Sequence, residues 1–251
     1  MTTTFFGEPQ LKAAVRHRVA EHQRLDQVIQ RTYWTGERGC FIGCALHSDR
    51  YADAERLLGL PEWFMRLGEN IFEALPRHEA VLMPLAIYDA MPVGVPWDRF
   101  DREVEARFLA WLILDPEHGV LRHNADLRMR AVGEAWQRVA DGESVTREEW
   151  DALHAAASAA YAVTAAIAAA YATYATTAYA VSAATSSSAA SFSAAAAAIA
   201  SRIAQRDTLI SLLRACQPEP DVTPALPEDA QFHEYYDRVR LEAGAASLLE
   251  T

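Results

Sequence analysis

The most chemically pointed stretch of the sequence is Gly39-Cys40-Phe41-Ile42-Gly43-Cys44-Ala45-Leu46-His47, which sets two thiols and an imidazole within eight residues. If the piece is helical, positions i, i+4 and i+7 share one face. If the glycines bend it into a loop, the three side chains can converge on a point. Thiolate and imidazole are what tetrahedral zinc takes as ligands. The first helix offers a fourth ligand in His22, seven residues after Val15 and seven before Ile29, hence on its apolar face. Asp26 lies one turn further on, where it could orient that imidazole or ligate. The expected metal ligands are therefore His22, Cys40, Cys44 and His47, with zinc as the expected ion.

The same residues admit two other readings. Cys40, Cys44 and His47 could be catalytic, a redox or nucleophilic thiol pair with His47 as base. They could also be packing alone, because free cysteine behaves as a small buried hydrophobe and the spacing is not that of the common zinc-finger pairs. A Cys40–Cys44 disulfide would not persist in a reducing compartment, and an iron–sulfur site would need Cys216, far away in sequence. Glu62, Arg66, Glu69, Glu73 and Arg77 recur at helical spacing. They read as a solvated ion-pair ladder rather than a carboxylate pair for acid–base work. His118 and His123, near Asp115 and Asp126, match no standard metal spacing and read as surface histidines. Phosphate-binding glycine loops, the GxSxG elbow and HExxH are absent.

What must position these groups is a chain of helices. Leu11, Val15, Val19, Leu25 and Ile29 predict an amphipathic helix over 9–31. Two glycines in Tyr33–Gly39 predict a turn, and Tyr51–Leu58 a short helix. Leu60, Phe64, Leu67, Ile71 and Leu75 form one apolar stripe between Pro61 and Pro76. Val81–Met91 reads as a buried helix or strand, with Pro84 against a central strand. Asp98 can cap a helix that buries Phe100, Val104, Phe108 and Trp111. Met129, Val132, Trp136 and Val139 mark the next helix, ended by Gly142. Thr146-Arg147-Glu148-Glu149 is a capping box that opens another.

From Ala152 to Ser201 there is no Asp, Glu, Lys or Arg, and about half of the positions are alanine, the residue that loses least on entering a helix. A long helix follows, with a seam of larger residues that includes Ile167, Tyr174, Val181, Phe192, Ile199, Ile203 and Ile210. The hydroxyl run Thr185–Ser188 is its weakest point. A turn there gives an antiparallel hairpin, 147–184 and 189–215. The low Leu/Ile/Phe/Val content argues against a membrane span, and Tyr161, Tyr171, Tyr174 and Tyr179 read as core filling. A proline-rich linker over 217–227 precedes a last helix with Phe232, Tyr236, Val239 and Leu248 as packing residues.

The expected fold is all-α, a helical N-terminal layer packed on the alanine-rich hairpin. Its regions are 1–145, 146–216 and 217–251, gathered in one compact unit. A net charge of −11, from 34 acidic against 23 basic residues, excludes duplex nucleic acid and anionic membranes as main partners, since both need a basic footprint. Three cysteines are too few for a disulfide scaffold. The opening residues lack the charged and apolar regions of a signal peptide, so a cytoplasmic setting is expected.

His22 through Leu75, with Tyr33-Trp34, Gly39-Cys40, Gly43-Cys44, His47 and Leu60-Pro61-Glu62-Trp63, resembles a group of bacterial and phage proteins. These join a GCxxGCxxH segment to an alanine-rich, helix-favouring C-terminal half. The group has no assigned activity, so the resemblance implies a layout and no catalytic residues. The functional expectation is a small-molecule- or metal-handling protein, enzyme or not, with its site at His22, Cys40, Cys44 and His47. The rival is a non-enzymatic acidic protein of inhibitor or immunity type facing a basic protein partner, or a helical scaffold that assembles as a homo-oligomer.

Overall fold

The structure is a computed structural model and describes residues 2–122, 127–164, 192–218, 226–228 and 230–247. It is all-α: among the described residues the extended pairings are isolated bridges, such as Val28 with Gly39. The chain divides into two compact units, Met1–Trp97 with Leu213–Thr251, and Asp98–Leu212.

In the first unit α1 runs Pro9–Arg24, seven residues shorter than its periodicity predicts. Asp26 explains the early stop. It sits at φ 53°, while Asp26 N–H donates to the Gln23 carbonyl (3.2 Å) and Gln27 N–H to the His22 carbonyl (2.8 Å). That pair of bonds is the left-handed helix ending usually given to glycine, here adopted by an aspartate, one of the few side chains that tolerate it. Leu25 is consequently exposed.

Short helices follow: α2 (Phe41–Leu46), α3 (Ala52–Leu58), α4 (Glu62–Ala74), α5 (Arg77–Ala80) and α6 (Met83–Ala90). The predicted stripe of α4 is buried, but so are Met65, Glu69 and Phe72 beside it. Glu69 is therefore not part of a solvated ladder, although Glu62 and Arg66 do pair. The Gln30 side chain closes the end of α4, its amide donating to the carbonyls of Phe72 and Leu75, both at 2.9 Å.

The second unit opens with one continuous helical rod. It consists of α7 (Trp97–Phe100), a π-helical turn over Asp101–Ala106, and α8 (Arg107–Leu114). Against it packs α9 (Leu127–Ala140), followed by α10 (Arg147–Thr164). The turn between α9 and α10 is written in the sequence. Gly142 takes φ 88°, and Glu143 N–H reaches back to the Arg138 carbonyl at 2.9 Å. Thr146 Oγ1 then caps α10 by accepting from Glu149 N–H at 3.2 Å.

Helix α11 spans Phe192–Ala215. The expected hairpin turn at Thr185–Ser188 lies outside the described residues, as do Ile167, Tyr171, Tyr174, Tyr179 and Val181. Where α11 is described, its buried residues are Arg202, Gln205, Leu209, Leu213 and, from the expected seam, Ile210, whereas Ile199 of that seam is 43% exposed. Two polar residues share the buried stripe, so counting apolar residues alone placed the face only in part. The last helix, α12 (Ala230–Ser247), returns to the first unit and buries Phe232, Tyr236 and Val239 as predicted, with Tyr235 besides. It packs on α1 and α3.

Candidate functional site

The two histidines of the expected site meet. His22, from the last turn of α1, and His47, immediately after α2, face each other with Nε2 atoms 2.8 Å apart. His47 reaches this position because its backbone is left-handed, φ 53° and ψ 39°. Continued as a helix, the chain would carry His47 on along α2 with Cys40 and Cys44. The left-handed step separates it from that face. A non-glycine residue in this region carries conformational strain.

Trp34 covers the pair. Its indole stacks on the His47 ring at 4.2 Å and 10° between planes, and meets the His22 ring edge-on at 5.4 Å. Trp34 can come this close because Gly43 admits the preceding backbone. A Cβ on Gly43 would lie 1.6 Å from the Tyr33 carbonyl oxygen, so no side chain fits there.

Gln27 fixes the other side of His22, its Oε1 lying 2.7 Å from Nδ1. With Gln27 accepting from Nδ1–H, His22 presents a lone pair at Nε2 and His47 donates into it. Asp26, the expected orienting residue, does not do this work. Its side chain is 77% exposed and its ion-pair partner is Arg77 at 3.7 Å. The reversal after α1 turns Asp26 outward and brings the next residue onto the ring.

The electrostatics keep both imidazoles neutral. Burial pushes His47 down to about 3, helped by the nearby Arg18 guanidinium and by His22. Burial also lowers His22, opposed by the Gln27 hydrogen bond. Arg18 is itself buried in α1, 3% exposed. It pairs with Glu242 of α12 at 2.6 Å and lies over the Tyr235 ring, whose hydroxyl donates to the Ala45 carbonyl at 3.1 Å.

The thiols make their contacts elsewhere. Cys44 Sγ donates to the Gly39 carbonyl at 3.2 Å. Cys40, the N-cap of α2, contacts the Tyr33 carbonyl at 3.7 Å and interacts with the Glu69 carboxyl. Burial raises both, Cys44 to about 12 and Cys40 further, so both are held as thiols. All three cysteines are buried thiols outside any disulfide. Glu69 is raised to about 8, by burial first and the neighbouring Glu73 carboxyl after it. Its Oε2 and the Tyr88 hydroxyl have no hydrogen-bond partner.

Sequence reasoning found His22 and His47 but missed Gln27, Arg18 and Glu69. Gln27 lay within a predicted helix, Arg18 carried no apolar signal, and Glu69 read as one rung of a charged ladder. His118 tilts against Trp111 at 6.1 Å, and His123 lies outside the described residues. Among the described residues no group of three or more His, Cys, Asp or Glu side chains could hold a metal ion, and no helix is long and apolar enough to cross a membrane. No protein-family model, curated protein or solved structure matches the chain.

Proposed function

We propose that the chain handles a divalent transition metal ion, zinc foremost, or a small molecule bound to one, through His22 and His47. The observation that carries this is the convergence of two Nε2 atoms at 2.8 Å. Imidazole nitrogens on one tetrahedral zinc sit about 3.3 Å apart, given bonds of about 2.0 Å. Opening the pair by about 0.5 Å would therefore seat an ion between them. Burial keeps both rings neutral, the form a metal needs, and seating the ion requires the His47 proton to move from Nε2 to Nδ1. Gln27 on Nδ1 of His22 is the kind of outer contact that fixes the tautomer of a ligating histidine. The remaining coordination positions would be open to water or a small molecule, as in sites that do chemistry rather than brace a fold. The thiols, held protonated beside Glu69 and backbone carbonyls, are in reserve as further ligands.

Zinc and cobalt(II) titrations of the purified protein test this. Uptake near one ion per chain is expected, lost in His22→Asn and His47→Asn. Asparagine tolerates the left-handed backbone at position 47, so loss there reports the imidazole. A sulfur-to-cobalt charge-transfer band, absent from the Cys40→Ser/Cys44→Ser variant, would bring the thiols into the ligand set. Retained uptake in His47→Asn sinks the proposal.

A second reading, an acidic interaction protein for a basic partner, rests on the net charge of −11. It is favoured if the protein takes up no metal and its salt-sensitive partners prove basic. Three cysteines held as thiols fit a reducing, cytoplasmic setting under either reading.

A further inference from the structure

The unit formed by Asp98–Leu212 holds a cleft of about 460 Å³. Asp98, Asp101, Arg102 and Glu105 line one side, from α7 and the π-helical turn, and Trp136 of α9 and Trp150 of α10 line the other. The two indoles are 4.8 Å apart between centroids, inclined at 47°. Glu143 also borders the cleft, but its carboxylate is engaged by Arg138 at 3.0 Å.

Glu105 is the anomaly. It is 9% exposed, and its Oε1 has no hydrogen-bond partner. A carboxyl so placed costs stability unless something pairs with it. It lies in the π-helical turn, where Val104, Glu105 and Ala106 are all buried in succession. Such turns cost helix stability and concentrate at functional sites.

We propose that this cleft binds an organic ammonium ion, its charged head between the indoles and the carboxylates of Asp98, Asp101 and Glu105. Aromatic faces attract a cation through their quadrupole, most strongly for tryptophan. Asp98 and Asp101 against Arg102 set the sign of the field, and Glu105 adds a third carboxylate once the cation has drawn off its proton. The volume suits a small molecule and exceeds what a bare metal ion needs. A hard divalent ion would seek oxygen ligands alone and would leave the tryptophans without a role.

Charge state supports the assignment. Burial, with Asp101 beside it, lifts the Glu105 carboxyl to about 8. The groups facing it are Asp98, Asp101 and Arg102 from its own rod, and Glu143 held by Arg138 from the opposite side. At neutral pH the empty cleft thus keeps Glu105 protonated, and an arriving cation draws its proton off.

Titrations of the full chain, read by tryptophan fluorescence and calorimetry, would use four probes: choline, putrescine, dimethylbutanol (the uncharged carbon isostere of choline) and magnesium chloride. Saturable binding of choline or putrescine is expected, with proton release seen as a dependence of the heat on buffer ionisation. Glu105→Gln and Trp150→Leu should each weaken that binding about tenfold. Glu105→Gln mimics the protonated acid and so keeps the fold, which circular dichroism confirms. The proposal is overturned if neither ammonium probe binds. Equal binding of dimethylbutanol or magnesium, or unchanged affinity in Glu105→Gln, would overturn it as well.

Discussion

At the scale of single residues, the molecule uses burial to decide which groups react. Cys40 and Cys44 are buried, donate to carbonyl or carboxyl oxygen, and are pushed up, Cys44 to about 12. The thiolate is the reactive form, so native protein should resist an aromatic disulfide reagent at pH 8. All three thiols should titrate once the chain is unfolded in guanidinium. Fast labelling of Cys40 or Cys44 in the native state would show that the α2 segment opens readily, and would restore a nucleophilic role to these thiols. The imidazoles show the converse. Burial lowers His22 and His47, leaving neutral rings that each keep one lone-pair nitrogen. Of the four residues that spacing and type singled out, the structure thus brings two into contact. Their pairing was legible only through the place of His22 on the apolar face of the first helix and of His47 beside the thiols. What completes it, the left-handed backbone at His47 and the Gln27 contact, depends on two chain reversals that no periodicity encodes.

At the scale of elements, the glycines separate two kinds of constraint. Gly142 ends α9 at φ 88° with nothing near the position of an added Cβ, so Gly142→Ala should cost only the backbone strain, about 1 kcal/mol. Gly43 has no unusual backbone but no room either, with the Tyr33 carbonyl oxygen 1.6 Å from where a Cβ would sit. Gly43→Ala must push Tyr33 and Trp34 away from α2 and should cost about 3 kcal/mol or more. Urea unfolding of both variants checks the ranking. Metal uptake gives a second check, because displacing Trp34 uncovers His47, so Gly43→Ala should disturb the histidine pair and Gly142→Ala should not. The elements themselves were largely readable. The α4 stripe, the Gly142 stop and the Thr146 cap come from apolar spacing and capping chemistry, which act within a few residues. Less legible are the places where a polar residue faces inward: Glu69 on α4, Glu105 in the π-helical turn, and Arg202 and Gln205 on α11. A pattern that scores polar side chains as solvent-facing does not place any of them inside, and two of these four are carboxyls at the places where chemistry is proposed.

At the scale of the whole molecule, each unit has among its described residues a buried glutamate raised by its surroundings, Glu69 in one and Glu105 in the other, and each should leave a signature in the pH dependence of stability. Glu69 and Glu105 are raised to about 8 in the folded state, against about 4.3 for an unperturbed glutamate. A group whose folded pKa is raised favours folding fully below its unfolded value, and that contribution is lost as pH rises toward the folded value. Stability of both units should therefore decline between about pH 4.3 and about pH 8, by up to about 1.4 kcal/mol per pH unit for each carboxyl. Glutamine carries no proton to lose. Glu105→Gln should flatten this decline for the unit of Asp98–Leu212, and Glu69→Gln for the unit that contains the histidine pair. Urea midpoints at several pH values, read by amide hydrogen exchange on peptides from each unit, distinguish the two effects, since tryptophans lie in both. A decline that persists unchanged in Glu105→Gln would mean that this carboxyl is already ionised in the folded protein and finds solvent or a counter-ion. The alkaline loss of stability would then have to come from the general repulsion of a chain with net charge −11. Added salt separates those cases, since screening relieves repulsion between exposed charges and leaves the titration of a buried acid nearly untouched.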